Sequence, residues 1–205
     1  MKLIFKGKFT SYDSLPKGEL PENAVAFREP KTMVGINLTA LLFALPVAIV
    51  MFILLSMFGG SEMYGRYNLW GLVIALALVP LHEYIHALFC GKNAEVYMYY
   101  SLKHCMMFVL TLTPMTKARF IVMSLMPSLI LGWLPFLAGL LICPSADIGG
   151  ILMASGVFGA IMGCGDYMNM FNAAVQMPKG SLTQLSGMHS YWFMPEADTP
   201  AAVSE

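Results

Sequence analysis

Charged residues are scarce in this sequence. Asp, Glu, Lys and Arg together make up 12% of its 205 residues, whereas a typical soluble domain carries about 25%. A chain with so few charges does not cover a water-facing surface in the usual way, and its mean hydropathy of +0.67 agrees with that. We therefore expect an integral membrane protein. The formal net charge of zero provides no basic field for nucleic acid, so we expect no nucleic-acid partner.

The sequence also lacks a CxxC pair, an apolar leader and an internal repeat. Its four cysteines are scattered, which argues against a disulfide framework and favours small buried residues. They are Cys90, Cys105, Cys143 and Cys164. The first 31 residues are polar and carry six Lys or Arg residues without an apolar run. We therefore expect no cleavable signal peptide.

Four apolar stretches are each long enough to cross a bilayer, which takes roughly 20 residues as a helix. They cover residues 33–58, 69–90, 120–143 and 148–175. Between the second and third, Glu95–Tyr100 and Met106–Thr111 are rich in Tyr, Met, Val and Phe and predict a β-hairpin. The predicted fold class is therefore a mainly α membrane protein with about four transmembrane helices, this short hairpin and a small polar N-terminal arm.

The predicted organisation is an arm over residues 1–31, a four-helix transmembrane domain over 32–175 and a tail over 176–205. Lys and Arg residues give its orientation, because they accumulate in cytoplasmic loops. The arm holds six of them, the loop between the second and third stretches four, the tail one, and the first loop only Arg66. We therefore expect both termini and the hairpin to be cytoplasmic.

Four titratable residues interrupt the apolar stretches, and they are the residue types of a hydrolytic zinc site. His82, Glu83 and His86 lie in the motif HEYIH of the second stretch, and Asp166 lies in the fourth. Residues i and i+4 share one face of a helix, so both imidazoles can reach one metal ion. Glu83 lies about 100° around the helix from His82, where its carboxylate can reach a metal-bound water. Titratable groups at membrane depth are costly and usually functional.

A catalytic zinc ion usually has three protein ligands and a water, so HEYIH lacks one ligand. Asp166 is the candidate: His82 and His86 lie roughly 20–25 Å down the second span, and Asp166 lies about 27 Å down the fourth, which enters from the same side. Gly163 and Gly165 flank it and are expected to let helices approach closely. Asn169 and Asn172 follow within two turns and are candidates for substrate binding or for holding a ligand.

The remaining candidate residues have simpler explanations. His104 falls in the predicted hairpin turn and is expected to be a solvated loop residue. His189 lies in the tail near Tyr191 and Trp192, where an interfacial or surface role is expected. The 18 methionines are scattered through the apolar stretches and indicate packing rather than copper binding. Cys164 lies close to Asp166 and remains an alternative ligand.

The chain resembles the DUF3267 family of zincin-type membrane peptidases, from the arm (PKGELPENAVAFREP) to the tail. The resemblance rests on PLHEYIHALF, TPMTKARFIVMSLMPS and GCGDYMNMFNAAVQMPKG. It implies metal-site roles for His82, Glu83 and His86, and it matches the Gly-Asp pair at Asp166. More distantly, the layout is similar to site-2-protease-type intramembrane metalloproteases, which place HExxH in one membrane helix and an Asp ligand in a later one. The Asn-Pro-Asp-Gly and Leu-Asp-Gly patterns of those enzymes are absent here.

Together these features predict a metallopeptidase-like domain over residues 32–175. The predicted activity is that of a zinc-dependent membrane endopeptidase. His82, His86 and Asp166 would bind zinc, Glu83 would be the general base, and the substrate would be a membrane-embedded or membrane-adjacent polypeptide. One alternative is a membrane protein that handles ions or protons through the same cluster, although the short chain without an inverted repeat disfavours transport. Another is an assembly factor that keeps a metal site. The sequence does not determine the oligomeric state.

Overall fold

The computed structural model describes residues 1–59, 69–104, 106–141 and 147–195. Arg66, Cys105, Cys143 and residues 196–205 lie outside the described residues. The chain divides into a helical unit, Pro30–His82 with Leu125–Met168, and a β-rich unit, Met1–Glu29 with Glu83–Ser124 and Asn169–Glu205. Three of the boundaries between these units fall within helices, namely Val79–Phe89, Lys117–Pro127 and Cys164–Gln176.

The described residues form seven strands and seven α-helices. The strands are β1 Lys2–Lys8, β2 Val25–Ala26, β3 Glu95–Ser101, β4 Met106–Thr111, β5 Met115–Thr116, β6 Leu182–Ser186 and β7 His189–Phe193. The helices are α1 Met33–Phe58, α2 Leu69–Ala77, α3 Val79–Phe89, α4 Lys117–Pro127, α5 Leu134–Leu141, α6 Asp147–Met162 and α7 Cys164–Gln176. A 3-10 turn covers Tyr12–Ser14, and a π-helical segment, Ser128–Trp133, joins α4 to α5.

Two to four of these segments are long and apolar enough to cross a membrane. Val34–Phe58 and Lys117–Leu141 are continuous candidates of 25 residues each. The pairs α2 with α3 and α6 with α7 qualify only as bent spans, with bends of 43° and 48°. Each of the four predicted stretches therefore contains helix, and the chain is a mainly helical membrane protein with small β-sheets.

The helical unit is held together by small residues that let helix backbones touch. A Cβ atom on Gly132 would lie 2.7 Å from the backbone nitrogen of Ala160, and one on Gly139 would lie 2.6 Å from the carbonyl oxygen of Gly149. Contacts this close leave room only for hydrogen, as is common where membrane helices cross. The segment Lys117–Leu141 is therefore fixed against α6, the helix that leads to Asp166.

The β-rich unit contains two sheets. The first has the strand order β1-β3-β4, and the second has the order β2-β7-β6-β5. Strands β3 and β4 form an antiparallel hairpin in which Val96 lies opposite Thr111. Strand β1 adds in parallel to the other edge of β3, with Leu3 opposite Val96. One face of the first sheet packs into a core with the ends of α3, α4 and α7.

The N-terminal arm and the C-terminal tail are built into these sheets. Strand β2 pairs with β7, so that Val25 lies opposite Trp192. The tail forms the hairpin β6–β7, and its turn contains Gly187 at a φ of 61°, a backbone conformation that glycine adopts easily. The N–H of Gly187 donates to the carbonyl of Pro16, 3.1 Å away. The N-terminal arm therefore holds the tail hairpin through backbone hydrogen bonds.

Candidate metal centre

Helix α3 carries the HEYIH motif directly after a bend. Pro80 has no N–H, and its ring collides with the carbonyl four residues earlier, which bends a helix at that point. The bend of 43° between α2 and α3 lies there, and regular helix resumes with the His82 N–H donating to the Leu78 carbonyl at 2.9 Å. His82, Glu83 and His86 therefore lie on one unbroken helix, with the two imidazoles one turn apart.

A proline in α4 frees the backbone group that orients His86. Nδ1 of His86 lies 2.9 Å from the carbonyl oxygen of Met123. A carbonyl only accepts hydrogen bonds, so Nδ1 carries the proton and Nε2 keeps a lone pair for a metal. Pro127, four residues after Met123, has no N–H with which to occupy that carbonyl. Metal-binding histidines commonly have their other ring nitrogen held in this way.

Within the helical unit, Asp166 lies directly beside His82. Its Oδ2 atom is 3.1 Å from Nε2 of His82, and each side chain is only 13% exposed. Helix α7 begins after a bend of 48° at Gly163, whose carbonyl accepts the N–H of Asp166 at 2.9 Å. A Cβ on Gly163 would overlap Oγ of Ser128 and lie 3.3 Å from Oδ2 of Asp166. The predicted proximity of His82 and Asp166 is therefore observed, and it depends on a glycine at 163.

Gly165 behaves differently from Gly163. A Cβ placed on Gly165 would meet no atom within 4 Å. The expectation that both glycines permit close helix approach is therefore wrong for Gly165, because its α-hydrogens point into open space. Gly163 alone performs this role at the start of α7.

The ligand atoms of His82 and Asp166 lie 3.1 Å apart in the helical unit, and His86 follows His82 by one turn on the same face of α3. Around a tetrahedral zinc ion with bonds of about 2.0–2.1 Å, ligand atoms lie about 3.3 Å apart. The separation between the His82 and Asp166 ligand atoms is close to that spacing. Two imidazoles and one carboxylate also match the ligand types of catalytic zinc. The donor set therefore fits zinc.

The Glu83 side chain is shielded from solvent and lies next to the first histidine of the motif. It follows His82 on α3, and its side chain is buried, with 8% exposed. His86 is similarly buried, with 6% exposed. A carboxylate in such a site can exchange a proton with a bound water without competition from bulk solvent.

The family comparison connects this geometry to known sequences. Residues 75–182 match the family DUF3267, described as "Putative zincin peptidase". The chain belongs to the DUF3267 family. The match runs from α2 to the first residue of β6 and includes HEYIH, the hairpin and Asp166. The zincin description implies zinc, in agreement with the donor set of this DUF3267 chain. The searches of curated proteins and of solved structures found no match.

The other predicted residues of this DUF3267 protein fall outside the ligand group. Oδ1 of Asn172 accepts a hydrogen bond from Nε2 of Gln176 at 3.1 Å, and the side-chain oxygen of Gln176 accepts the N–H of Arg28 at 2.7 Å. Asn172 thus helps to anchor the arm. Asn169 lies on α7 three residues after Asp166, half-buried, and Cys164 begins that helix. Both stay predictions.

His189 has a structural partner in the arm. Its Nδ1 atom lies 3.1 Å from Oε1 of Glu29, and the same carboxylate oxygen accepts the N–H of Ser190 at 3.1 Å. Burial raises the pKa of Glu29, while the Ser190 N–H and His189 act in the opposite direction. The pair joins the end of the arm to β7. His104 lies in the hairpin turn and is half-buried.

Proposed function

We propose that this DUF3267 protein is a zinc-dependent membrane endopeptidase that uses a metal-activated water. The observation that supports this most directly is the contact between His82 and Asp166 beside a buried Glu83 in HExxH spacing. A structural ion pair alone does not explain why the histidine of this contact begins an HExxH motif. The zincin description of the family points to the same chemistry.

In this mechanism His82, His86 and Asp166 would hold zinc, which supplies Lewis acidity and lowers the pKa of a bound water to about 7. The Glu83 carboxylate would take a proton from the attacking water and return it to the nitrogen of the leaving amine. The Met123 carbonyl keeps His86 in the tautomer whose Nε2 has a lone pair that would be available to a metal. Burial of these side chains excludes bulk water from the reacting groups.

The substrate proposed is an extended segment of a membrane-embedded or membrane-adjacent polypeptide. A helical peptide bond is shielded from attack, so the segment must first become extended. Strand β3 is paired on both sides, so β1 and β4 are the two edge strands of the first sheet. An extended peptide could add to β4 through backbone hydrogen bonds. This assigns substrate binding to β4, one side of the predicted hairpin.

We also propose that the two bent helix pairs each form a single span, which gives four spans with both termini cytoplasmic. The distribution of Lys and Arg supports this orientation, since eleven of the twelve lie on one side of such a topology. The bends do not oppose it, because broken helices are tolerated where they line a buried site.

The direct contact between His82 and Asp166 also favours a second candidate, a membrane protein that passes protons or a divalent cation. A histidine and a carboxylate in contact at membrane depth can relay a proton. Glu83 separates the two functions. Hydrolysis requires a carboxylate at this position, whereas metal binding alone survives its replacement by an amide of the same size.

The test compares wild type with Glu83→Gln, His86→Ala and Asp166→Ala after purification into nanodiscs. Zinc content by mass spectrometry should be about one per chain in wild type and Glu83→Gln and should fall in the other two variants. New protein N-termini in membranes of cells that express each form should appear with wild type and disappear with Glu83→Gln. A zinc-loaded wild type that produces the same N-termini as Glu83→Gln would refute the peptidase proposal.

A further inference from the structure

One face of the first sheet is covered by the core of the β-rich unit over only part of its length. Strand pairing places Leu3, Val96 and Thr111 in one row of this face and Phe5, Met98 and Val109 in the next. The first row is covered, since Val96 is fully buried and Leu3 packs against the core. In the second row Met98 is buried and Val109 packs against the core, whereas Phe5 is exposed, and the face continues from there toward the hairpin turn.

The end of this face exposes large apolar side chains. Phe5 is 63% exposed and Leu102, at the hairpin turn, is 76% exposed. The Phe5 ring stacks on Tyr100, with ring centroids 6.2 Å apart and an interplanar angle of 9°. These side chains extend a buried apolar face, whereas single exposed apolar residues are common and need no explanation. We call Phe5, Lys8, Tyr100 and Leu102 the sheet tip.

The direction of this face follows from the helices that pack on it. Ala87 of α3, Phe120 of α4 and Ala173 of α7 are buried in the core that covers its first row. These helices belong to the candidate membrane segments of the chain. The face that receives these helix ends is the one from which the candidate membrane segments lead away, and its uncovered end belongs to the same face.

The charges around the sheet tip suit a lipid headgroup surface. Lys2 is paired with Glu95 at 2.8 Å on the opposite face of the sheet. By contrast, Lys8 lies opposite Tyr100 and Lys103 follows Leu102, and neither forms an ion pair with any described residue. Long basic side chains next to aromatic rings are typical of the membrane interface, where each basic residue is attracted to anionic lipid.

We propose that the sheet tip rests in the headgroup region of the bilayer that holds the chain's own helices. Phe5, Tyr100 and Leu102 would enter the boundary between headgroups and acyl chains, and Lys8 and Lys103 would contact lipid phosphates. The contact would hold the first sheet, including its outer strand β4, along the membrane surface. It requires no peptidase activity and is independent of the proposed function.

Spin labels on the full-length protein in nanodiscs of phosphatidylcholine and phosphatidylglycerol test this. Cys105, Cys143 and Cys164 are replaced by Ser, and Cys90 stays because it is buried. One label is then placed by Leu102→Cys. A second is placed by Phe5→Cys, so that the test survives if one variant fails to fold. The control is Lys6→Cys, an exposed residue whose side chain lies over the Tyr97 ring on the opposite face of the same sheet.

Labels at 5 and 102 should collide with oxygen more often, and with a water-soluble nickel chelate less often, than the label at 6. Neutral discs should reduce this difference, because the lysines then lose their anionic partners. Equal nickel accessibility at all three positions overturns the proposal. Protection that appears only when two chains share one disc also overturns it, and would assign the sheet tip to a second copy of the chain.

Discussion

Replacing Gly163 by alanine should damage the metal centre through one methyl group. The new Cβ would overlap Oγ of Ser128, which is fully buried, and would lie 3.3 Å from Oδ2 of Asp166. Overfilling a packed interior typically costs about 1–3 kcal/mol. Displacing a group next to a metal ligand typically lowers metal affinity about 10- to 100-fold. We expect both effects in Gly163→Ala.

The chain offers a rescue and a matched control for this prediction. Ser128→Ala removes the overlapping oxygen, which neighbours the Tyr167 hydroxyl, so alone it should cost at most about 1 kcal/mol. Added to Gly163→Ala it leaves the new methyl group with its nearest contacts at 3.3 Å, and it should restore most of the loss. Gly165→Ala places a methyl group in open space two residues away, and should be neutral or stabilising by up to about 1 kcal/mol.

The assay is zinc affinity by chelator competition, together with unfolding of the four variants in the same detergent. The interaction energy from the double-mutant cycle of Ser128 and Gly163 should be favourable and close to the cost of Gly163→Ala alone. If Gly163→Ala and Gly165→Ala behave alike, or if Ser128→Ala fails to rescue, the packing argument at the start of α7 is wrong.

Two further substitutions test the effect of Pro127 on the Met123 carbonyl and the effect of burial on Glu29. Pro127→Ala supplies an N–H that competes for the Met123 carbonyl. The free energy of unfolding should therefore rise, while zinc affinity should fall about 10-fold or more. Unchanged zinc affinity in the chelator assay would contradict the orienting role of this carbonyl. Burial raises the pKa of Glu29 from its ordinary value of 4.5, so the folded state holds this proton more tightly than the unfolded chain, and stability falls as pH rises from 4.5 through the raised pKa. Glu29→Gln should flatten that fall in thermal unfolding curves recorded from pH 4.5 to neutral, and an unaltered slope would assign it to other groups.

The sequence predicted the parts of the fold that local patterns encode. Long apolar runs predicted helices in all four stretches. The Tyr, Met, Val and Phe content of Glu95–Tyr100 and Met106–Thr111 predicted the two strands that pair in the structure. The parallel pairing of β1 with β3 was not predicted, because a partner about 90 residues away leaves no local pattern. The tail hairpin was also missed, although Gly187 between two alternating segments is a typical hairpin signal.

The sequence predicted the candidate site through spacing and depth. Counting residues along straight helices placed His82 and Asp166 at similar depths, and the structure brings them to 3.1 Å. Counting residues along straight helices worked although both helices bend, because each bend lies only a few positions before the residue concerned. Pro80 lies shortly before His82, and Gly163 lies shortly before Asp166. Asp166 as a ligand and Glu83 as the base stay predictions until the metal is measured.

The contact of His86 with the Met123 carbonyl is the part of the candidate site that was not predicted from the sequence. No side chain marks it, and side-chain patterns therefore do not find it. Its signal is Pro127, which removes the helical donor for a carbonyl four residues earlier. In a membrane, a backbone group freed in this way must find another partner, and here that partner is the Nδ1–H of a candidate metal ligand. A proline in a membrane helix therefore indicates more than a bend, since it also predicts which carbonyl is available to orient a functional side chain.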